Sequence, residues 1–367
     1  LSRSRIWDAI ICGAGVGGSI AAEELAAKGF SILLLEKQRL PRYKACGGAV
    51  TKDFIDEEKL PESIIKRHIE HLVLHHVNYE SFEKQGRGAC LWRADLDFFL
   101  TQRAISEGAI LQDKEQVVNA KREKGLYQVK TKNNEFQGRT LIAADGVSSF
   151  VLQCFSWARF GEDDLAQTMT YEIKLGEETI TKRFRNQHLH LYFGNSVSKM
   201  GYGWVFPKHD TVSVGWGCQL SKIKNAKREF ETFLKILKKP LAGGKIIRRA
   251  AHLLPASLRQ PAGKEGLLAV GDAGGFVDPI SGKGIPYAAL SSRLAAKTLT
   301  QVLETEEIEQ AATRYQGVLE KNLFEILKKK KAIQADIYSS EDNIQKFLQL
   351  WLNHRTTEIA SSIWQTI

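Results

Sequence analysis

The stretch I-W-D-A-I-I-C-G-A-G-V-G-G-S-I-A-A-E-E-L-A-A-K-G-F-S-I-L-L-L-E, residues 6–36, decides the fold. It reads as strand, turn, helix and strand. Ile6 to Cys12 is a short apolar run of the buried-strand kind, and Gly13-Ala-Gly-Val-Gly-Gly18 is a turn. An apolar-periodic helix then passes through Ile20, Leu25 and Ala26 until Gly29 stops it, and Phe30 to Leu35 makes a second buried strand ending in Glu36. G-x-G-x-x-G between such a strand and helix, with an acid 18 positions after the third glycine, is a dinucleotide-binding fingerprint. Gly13 permits the tight turn, Gly15 lets the backbone approach a pyrophosphate, and Gly18 lets helix and strand pack closely. Val16 and Gly17 complete the turn, where free N–H groups and the positive end of the helix dipole face the phosphates. Glu36 would accept from ribose hydroxyls, with Lys37 beside it. FAD and NAD share this fingerprint, so residues 6–36 leave the nucleotide open.

Two later segments bear on that choice. Leu141-Ile-Ala-Ala-Asp-Gly-Val-Ser-Ser149 reads as a strand entering an acidic glycine turn at Asp145 and Gly146. Leu267-Leu-Ala-Val-Gly-Asp-Ala-Gly-Gly275 is another strand, ending at Gly271 and Asp272. Asp278-Pro-Ile-Ser-Gly-Lys-Gly-Ile285 then opens a long helix through Leu294 and Leu299. Asp272 can hold a ribityl hydroxyl. The helix start at Gly282, Lys283, Gly284 and Ile285 can sit under a flavin pyrimidine, where its dipole and bare N–H groups favour the anionic reduced ring.

The combination of G-x-G-x-x-G with its acid, A-A-D-G, and G-D-A-G-G-F-x-D-P-x-x-G-x-G-I resembles the FAD-binding set of group A flavoprotein monooxygenases and their relatives. Within that group the chain most resembles the geranylgeranyl reductase family. Pro41-Arg-Tyr-Lys-Ala-Cys-Gly-Gly48 supports this, as does Gly201-Tyr-Gly-Trp-Val-Phe-Pro207 followed by Val214-Gly-Trp-Gly217. The resemblance runs over roughly residues 5 to 300. It implies bound FAD and an Arg93 that reaches the flavin region, with Asp97 on the same helix. It also implies a loop at Cys46, Gly47 and Gly48 that meets both flavin and substrate. Lys283 departs from the neutral or acidic residue common in relatives; a cation there further favours reduced flavin or simply points to solvent.

The cofactor motifs are widely separated, so the domains should interleave. The expected class is α/β, a Rossmann-like FAD-binding domain interleaved with an antiparallel-sheet substrate domain, plus C-terminal helices. The boundaries expected are 1–50, 90–165 and 255–300 for the FAD-binding domain, 51–89 and 166–254 for the substrate domain, and 301–367 for a C-terminal helical region. Between 49 and 92 lie an amphipathic segment from Leu60 to Ile69 and strand-like runs around Leu72 to Val77. Short alternating strands follow at Met169–Ile173, His188–Phe193, Tyr202–Phe206, Val212–Trp216 and Ile246–His252, interrupted by an amphipathic helix over Asn225–Lys239. Beyond residue 300 the pattern is helical, with Lys328 to Lys331 followed by Ile344, Phe347, Leu348, Trp351 and Leu352 at helical spacing. That apolar stripe suits a core, and the four-lysine run beside it also suits acidic headgroups.

Composition narrows the function classes. In 367 residues, 43% hydrophobic and 26% charged content is ordinary globular composition, and 30 glycines against 8 prolines fits tight backbone turns near a ligand. No run approaches the length of a spanning helix, and no secretory signal is expected at the amino end, which enters a strand directly. The formal charge of +10 favours acidic partners, an anionic membrane surface, a phosphorylated substrate or nucleic acid; with the resemblance it suits the headgroup of a prenyl diphosphate or isoprenoid lipid, and an acidic electron carrier. No nucleic-acid module accompanies it. Five scattered cysteines without C-x-x-C indicate neither a disulfide framework nor a zinc site, and suit a reducing cytoplasm. His75 and His76 are adjacent, so on a strand they face opposite ways and cannot share an ion; no metal is expected.

Tyr202, Trp204 and Phe206 share one face of a strand and, with Pro207, would wall a flavin or a long hydrocarbon; as a pattern they serve equally as plain core. Cys46 is a reactive thiol in the glycine loop or a small buried hydrophobe, and Lys44 would lower its pKa if the two side chains met. The chemistry expected is saturation of isolated isoprenoid double bonds, by hydride from reduced FAD and a proton from Cys46, Tyr43 or water. NAD(P)H or a ferredoxin-like protein would supply the electrons. The rival readings are an FAD- and NAD(P)H-dependent aromatic hydroxylase of the same architecture, and a non-catalytic flavin-holding protein docked at a membrane.

Overall fold

The computed structural model describes residues 5–76 and 81–352, with side chains as far as Leu350. Val77, and the side chains of Trp351 and Leu352, lie outside what it describes. The chain forms two compact units. Of the described residues, the first holds 5–43, 94–161 and 255–329, and the second holds 44–76, 81–93, 162–254 and 330–352.

The first unit is built on a parallel sheet whose strands run, in spatial order, Ile110–Gln112, Ile32–Leu35, Ile6–Cys12, Glu135–Ala143 and Leu267–Ala269. The central strands Ile6–Cys12 and Ile32–Leu35, Leu267–Ala269 and the end of Glu135–Ala143 are apolar and buried, the pattern of a parallel sheet covered on both faces. A hairpin of Val117–Glu123 and Leu126–Thr131 joins antiparallel to Glu135–Ala143. Register sets the function of this end. Cys12 pairs with both Leu35 and Ala143, Leu35 with Gln112, and Ala269 with Ala143. The carboxyl ends of all five strands are therefore level, and four of them run directly into one of the sequence motifs. Ligands of open parallel sheets bind at that edge.

The second unit is an eight-stranded sheet in the order Lys245–Pro255, Leu165–Lys174, Thr211–Gln219, Gly201–Pro207, His188–Phe193, Ile65–His76, Ser81–Leu91 and Ala49–Thr51. His188–Phe193 runs parallel to Ile65–His76, and its other neighbour is antiparallel. One face packs on the helices Glu177–Phe184 and Ala226–Ile236, burying Phe184, Phe230 and Phe233 with Val205, Val214 and Trp216. Asn225 caps the second helix by accepting from Arg228 N–H at 3.0 Å. That helix ends at Ile236, three residues earlier than its sequence pattern extends.

Two segments take their form from their packing. The amphipathic segment at Leu60–Ile69 is strand from Ile65 onward, because its polar residues alternate along an antiparallel hairpin with Ser81–Leu91. The C-terminal region is not a body of its own. The helix Ala311–Leu319 packs on the Leu267–Ala269 edge of the first unit, burying Tyr315 and Leu319, whereas Ile344 and Leu348 are buried in the second. Among the described residues of the apolar stripe, Ile344 and Leu348 are therefore core and Phe347 is half-buried. Of the lysine run, Lys330 is buried, and burial lowers the Lys331 pKa against the opposing pull of Asp164 and Asp163, leaving Lys328 and Lys329 exposed. Among the described residues no helix is long and apolar enough to cross a membrane.

Candidate functional site

In the first unit the strand ends form a cradle made largely of backbone. Gly13 has φ +111°, and a Cβ there would stand 2.4 Å from the Ala144 carbonyl oxygen. A Cβ on Gly18 would stand 1.8 Å from the Gly13 oxygen, so the helix Val16–Ala26 can start this close to the strand only with glycine. That helix begins at Gly15 with no side-chain cap and no acid in its first turn, which leaves its amide N–H groups and positive end available to an anion. Val16, Gly17 and Gly18 are buried.

Glu36 is 3% exposed. Its Oε2 accepts from Ala14 N–H and its Oε1 from Gln38 N–H, at 3.2 and 3.0 Å. Arg42 donates to Glu36 Oε2 at 3.2 Å and to Asp97 Oδ2 at 2.8 Å. Burial works against the Arg42 charge, but Asp97 and Glu36 outweigh it and raise its pKa. Glu36 Oε1 keeps a lone pair for a further donor such as a ribose hydroxyl. Sequence reasoning quoted Arg42 without assigning it a role; the signal that points to it is a buried acid on each side, at positions 36 and 97. Lys37 is exposed.

The other two motifs arrive at the same edge. Asp145 Oδ2 accepts from Val151 N–H at 3.0 Å, while Oδ1 is buried without a hydrogen-bond partner, and burial raises the Asp145 pKa. Gly146 has φ +88°, and a Cβ there would meet nothing within 4 Å. Asp272 Oδ1 lies 3.3 Å from where a Gly284 Cβ would stand, so the strand-end acid and the next helix start are neighbours. Asp278 shapes that start by accepting from Ile280 and Ser281 N–H, both at 2.9 Å, and its own N–H donates to the Lys283 carbonyl. The helix Ile285–Glu304 begins at Gly284 with no side-chain cap and no acid in its first turn. Gly282 has φ +66°, and Gly271 has φ +55°. Two uncapped helix starts, glycine-lined turns and one orphaned buried carboxylate oxygen fit a dinucleotide with a pyrophosphate and several hydroxyls.

In the second unit, Tyr202, Trp204 and Phe206 do share a face. Neighbouring ring centroids are 6.1 Å apart in each pair. Glycines make the room: a Gly215 Cβ would stand 2.0 Å from the Trp204 ring, and on the opposite face a Gly203 Cβ would stand 2.4 Å from Phe233. The loop of Cys46, Gly47 and Gly48 lies flush on this face, since a Gly47 Cβ would meet the Phe206 ring at 2.4 Å and Trp204 Nε1 at 3.2 Å. Trp204 Nε1 is buried without a hydrogen-bond partner. Cys46 is half-buried, and its Sγ accepts from Gly48 N–H at 3.4 Å. Pro207 closes the strand, Tyr43 is half-buried, and Arg93 is buried at the start of the helix Arg93–Ser106.

The histidines form a network that adjacency in sequence does not reveal. His75 Nε2 is 2.9 Å from His190 Nδ1, and burial, assisted at His75 by His190, lowers the pKa of each to about 4. His76 Nε2 is 2.9 Å from Glu341 Oε2. His71 and His188 stack at 4.5 Å and both face Glu83 at 3.2 Å. These three are a cluster of metal-ligand type, but Arg185 already holds the other oxygen of Glu83, so its charge is balanced without an ion.

Against known families, residues 7–317 match the model described as FAD binding domain. Geranylgeranyl diphosphate reductase of Synechocystis is 30% identical, over 79% of this chain and 74% of that enzyme. The chain belongs to the geranylgeranyl reductase family. The chloroplastic geranylgeranyl diphosphate reductase of Nicotiana tabacum is 31% identical over 79% of this chain, which spans 65% of that enzyme's length. A geranylgeranyl bacteriochlorophyll reductase-like structure from Thermoplasma acidophilum superposes with TM-score 0.88 at 23% identity, covering 99% of this chain and 96% of the other, a likeness of fold. The mixed α/β architecture expected from sequence stands, as does membership of an FAD-dependent oxidoreductase family. FAD is the dinucleotide this family model specifies, and the cradle fits it.

Proposed function

We propose that this protein saturates carbon–carbon double bonds of a geranylgeranyl chain carried on a diphosphate or a lipid headgroup. The observation that carries the reading is the second unit's aromatic face, with a cysteine-bearing glycine loop laid flat against it, in a chain of this family. Bound FAD, once reduced, supplies the hydride for one carbon of an isolated double bond. The chain's own residues supply the rest. Gly13, Gly15, Gly17, Gly18, Asp145, Gly146, Gly271, Asp272 and Gly284 hold the cofactor through backbone N–H groups and short polar side chains. Tyr202, Trp204 and Phe206 give a hydrocarbon an apolar surface that excludes water and orients the bond. An unactivated alkene has no carbonyl to polarise, so a proton must reach the second carbon directly, from Cys46, Tyr43 or water. Hydride plus proton would add two hydrogens per bond, and NAD(P)H or a ferredoxin-like donor would supply the two electrons for each turnover. The positive balance of the chain suits a phosphate-bearing headgroup and an acidic electron carrier.

The test is anaerobic incubation of chemically reduced protein with geranylgeranyl diphosphate, and separately with a geranylgeranyl phospholipid, followed by mass spectrometry. Product masses should rise by pairs of hydrogens. Unchanged mass with every headgroup, together with hydroxylation once oxygen is admitted, would move the protein to the hydroxylase reading.

A further inference from the structure

We propose that Lys208 is a positioning residue that, through the carbonyl of Gly47, fixes the Cys46-Gly47-Gly48 loop and so sets where the Cys46 thiol stands. This rests on the reading of that loop as part of the reactive site.

Lys208 follows directly on the aromatic strand, and it is 1% exposed. A lysine buried to that degree costs several kcal/mol unless its charge is paired and its N–H groups are used. Here its Nζ donates to the Gly47 carbonyl at 3.0 Å and to Ser213 Oγ, and it stands 4.2 Å from the centre of the Trp92 ring. Ser213 Oγ in turn donates to Glu172 Oε2 at 2.5 Å, and Glu172 is itself 1% exposed. Ser213 and Glu172 are direct partners across adjacent strands. The Lys208 N–H closes the turn between its strand and the next by donating to the Thr211 carbonyl at 2.8 Å. Side chains from three neighbouring segments thus form a buried chain, carboxylate to hydroxyl to ammonium, that ends on one loop carbonyl.

That carbonyl belongs to a loop wedged on its other sides. A Gly48 Cβ would stand 2.1 Å from the Leu91 oxygen, and the Gly48 carbonyl accepts from Leu91 N–H at 2.8 Å. Gly47 has no space above the Phe206 ring. The Gly48 N–H that Cys46 Sγ accepts is part of the peptide whose carbonyl Lys208 holds. Releasing the carbonyl therefore turns the donor away from the sulfur, and the thiol moves with its own hydrogen bond. An exposed loop could satisfy this carbonyl with water. A buried ammonium does so only where the carbonyl's position matters, since water would leave the loop free to lift off the ring.

The measurement is the rate of iodoacetamide labelling of Cys46, followed by peptide mass mapping over neutral to alkaline pH. It uses flavin-bound protein without substrate. The variants are Lys208→Met, Lys208→Arg, Glu172→Gln and, as a control, Phe230→Leu, which weakens the opposite face of the same sheet. Lys208→Met should change the labelling rate by on the order of tenfold and alter its pH profile, because position and hydrogen bonding govern thiolate reactivity. Lys208→Arg should recover most of the wild-type profile, and Glu172→Gln should move it in the same direction as Lys208→Met by less. Should Lys208→Met fail to fold, Glu172→Gln gives the reading. Phe230→Leu should lower thermal stability and leave labelling unchanged. Wild-type labelling in both Lys208→Met and Glu172→Gln would overturn the proposal, as would an equal shift in Phe230→Leu. Altered labelling with undiminished alkene reduction would uphold the positioning role of Lys208 and remove the loop from the chemistry.

Discussion

In the first unit the surface offered to a ligand is backbone, and in the second it is side chain. The cradle at the strand ends consists of glycines whose missing Cβ atoms let main chain approach main chain, and of helix starts that no side chain caps. The aromatic face is made of three rings, and glycine serves there to seat rings and not to bring main chain together. Backbone geometry tolerates little variation and suits a cofactor of fixed shape. Rings rotate within limits and suit a flexible hydrocarbon. Each surface is nonetheless pinned by a cation, the partly buried Arg42 in the first unit and the fully buried Lys208 in the second.

The widest separation between the two should come from adding one methyl group to each. Gly18→Ala drives a Cβ to 1.8 Å from the backbone oxygen of Gly13, which cannot move without opening the turn. Purified Gly18→Ala should carry background levels of flavin by absorbance, a loss of on the order of a hundredfold or more in affinity, which is about 3 kcal/mol. Gly47→Ala meets side chains and no backbone, the Phe206 ring at 2.4 Å and Trp204 Nε1 at 3.2 Å, and rings can shift where main chain cannot, so it should keep a full complement of flavin while its alkene reduction falls. Equal flavin content in the two variants would erase the distinction.

Arg42→Met comes next. It leaves the carboxylates of Glu36 and Asp97 buried without their shared partner, and urea unfolding should show a loss of about 3–5 kcal/mol. Arg42→Lys should restore part of this, since one ammonium cannot span both acids as the guanidinium fork does.

The smallest effect is acid-dependent and belongs to the second unit. His75 and His190 are held neutral, with pKa lowered from 6.5 to about 4 by burial. A folded-state pKa below the unfolded one means the stability is fully present above about 6.5 and is lost as the pH falls towards 4. The loss should be on the order of 2 kcal/mol for the hydrogen-bonded pair as a whole. Unfolding of wild type followed over that interval should steepen, and His190→Gln should flatten it. An unchanged slope in the variant would place the acid sensitivity elsewhere.

The two regions also differ in how far they could be read from sequence. Gly13, Gly18, Glu36, Asp145 and Asp272 were legible because each follows its own strand within a few residues, and parallel register brings the strand ends level. Five of the eight strands of the second unit were equally visible from alternation, down to the shared face of Tyr202, Trp204 and Phe206. The pins were not. Arg42 lies inside a quoted motif, but its partner Asp97 is 55 positions away. Lys208 stands one residue beyond another motif, yet its role depends on Gly47, 161 positions earlier, and on a serine and a glutamate that form no motif. The hairpin Ile65–Leu91 was obscured because its histidines sit where an alternating strand would carry apolar residues, and tertiary partners such as Glu83 and His190 make them tolerable there. Lys330 misled in the opposite way, a charge in a basic run that the fold buries.

The central claim is that the protein reduces isolated double bonds directly and without oxygen. It is tested most directly by mixing chemically reduced, flavin-bound protein with geranylgeranyl diphosphate or the corresponding phospholipid under strict anaerobiosis and watching the flavin absorbance. The account predicts that the oxidised band returns in step with product that has gained hydrogens in pairs. A flavin that stays reduced beside every isoprenoid, and reoxidises only when oxygen is admitted, would contradict it.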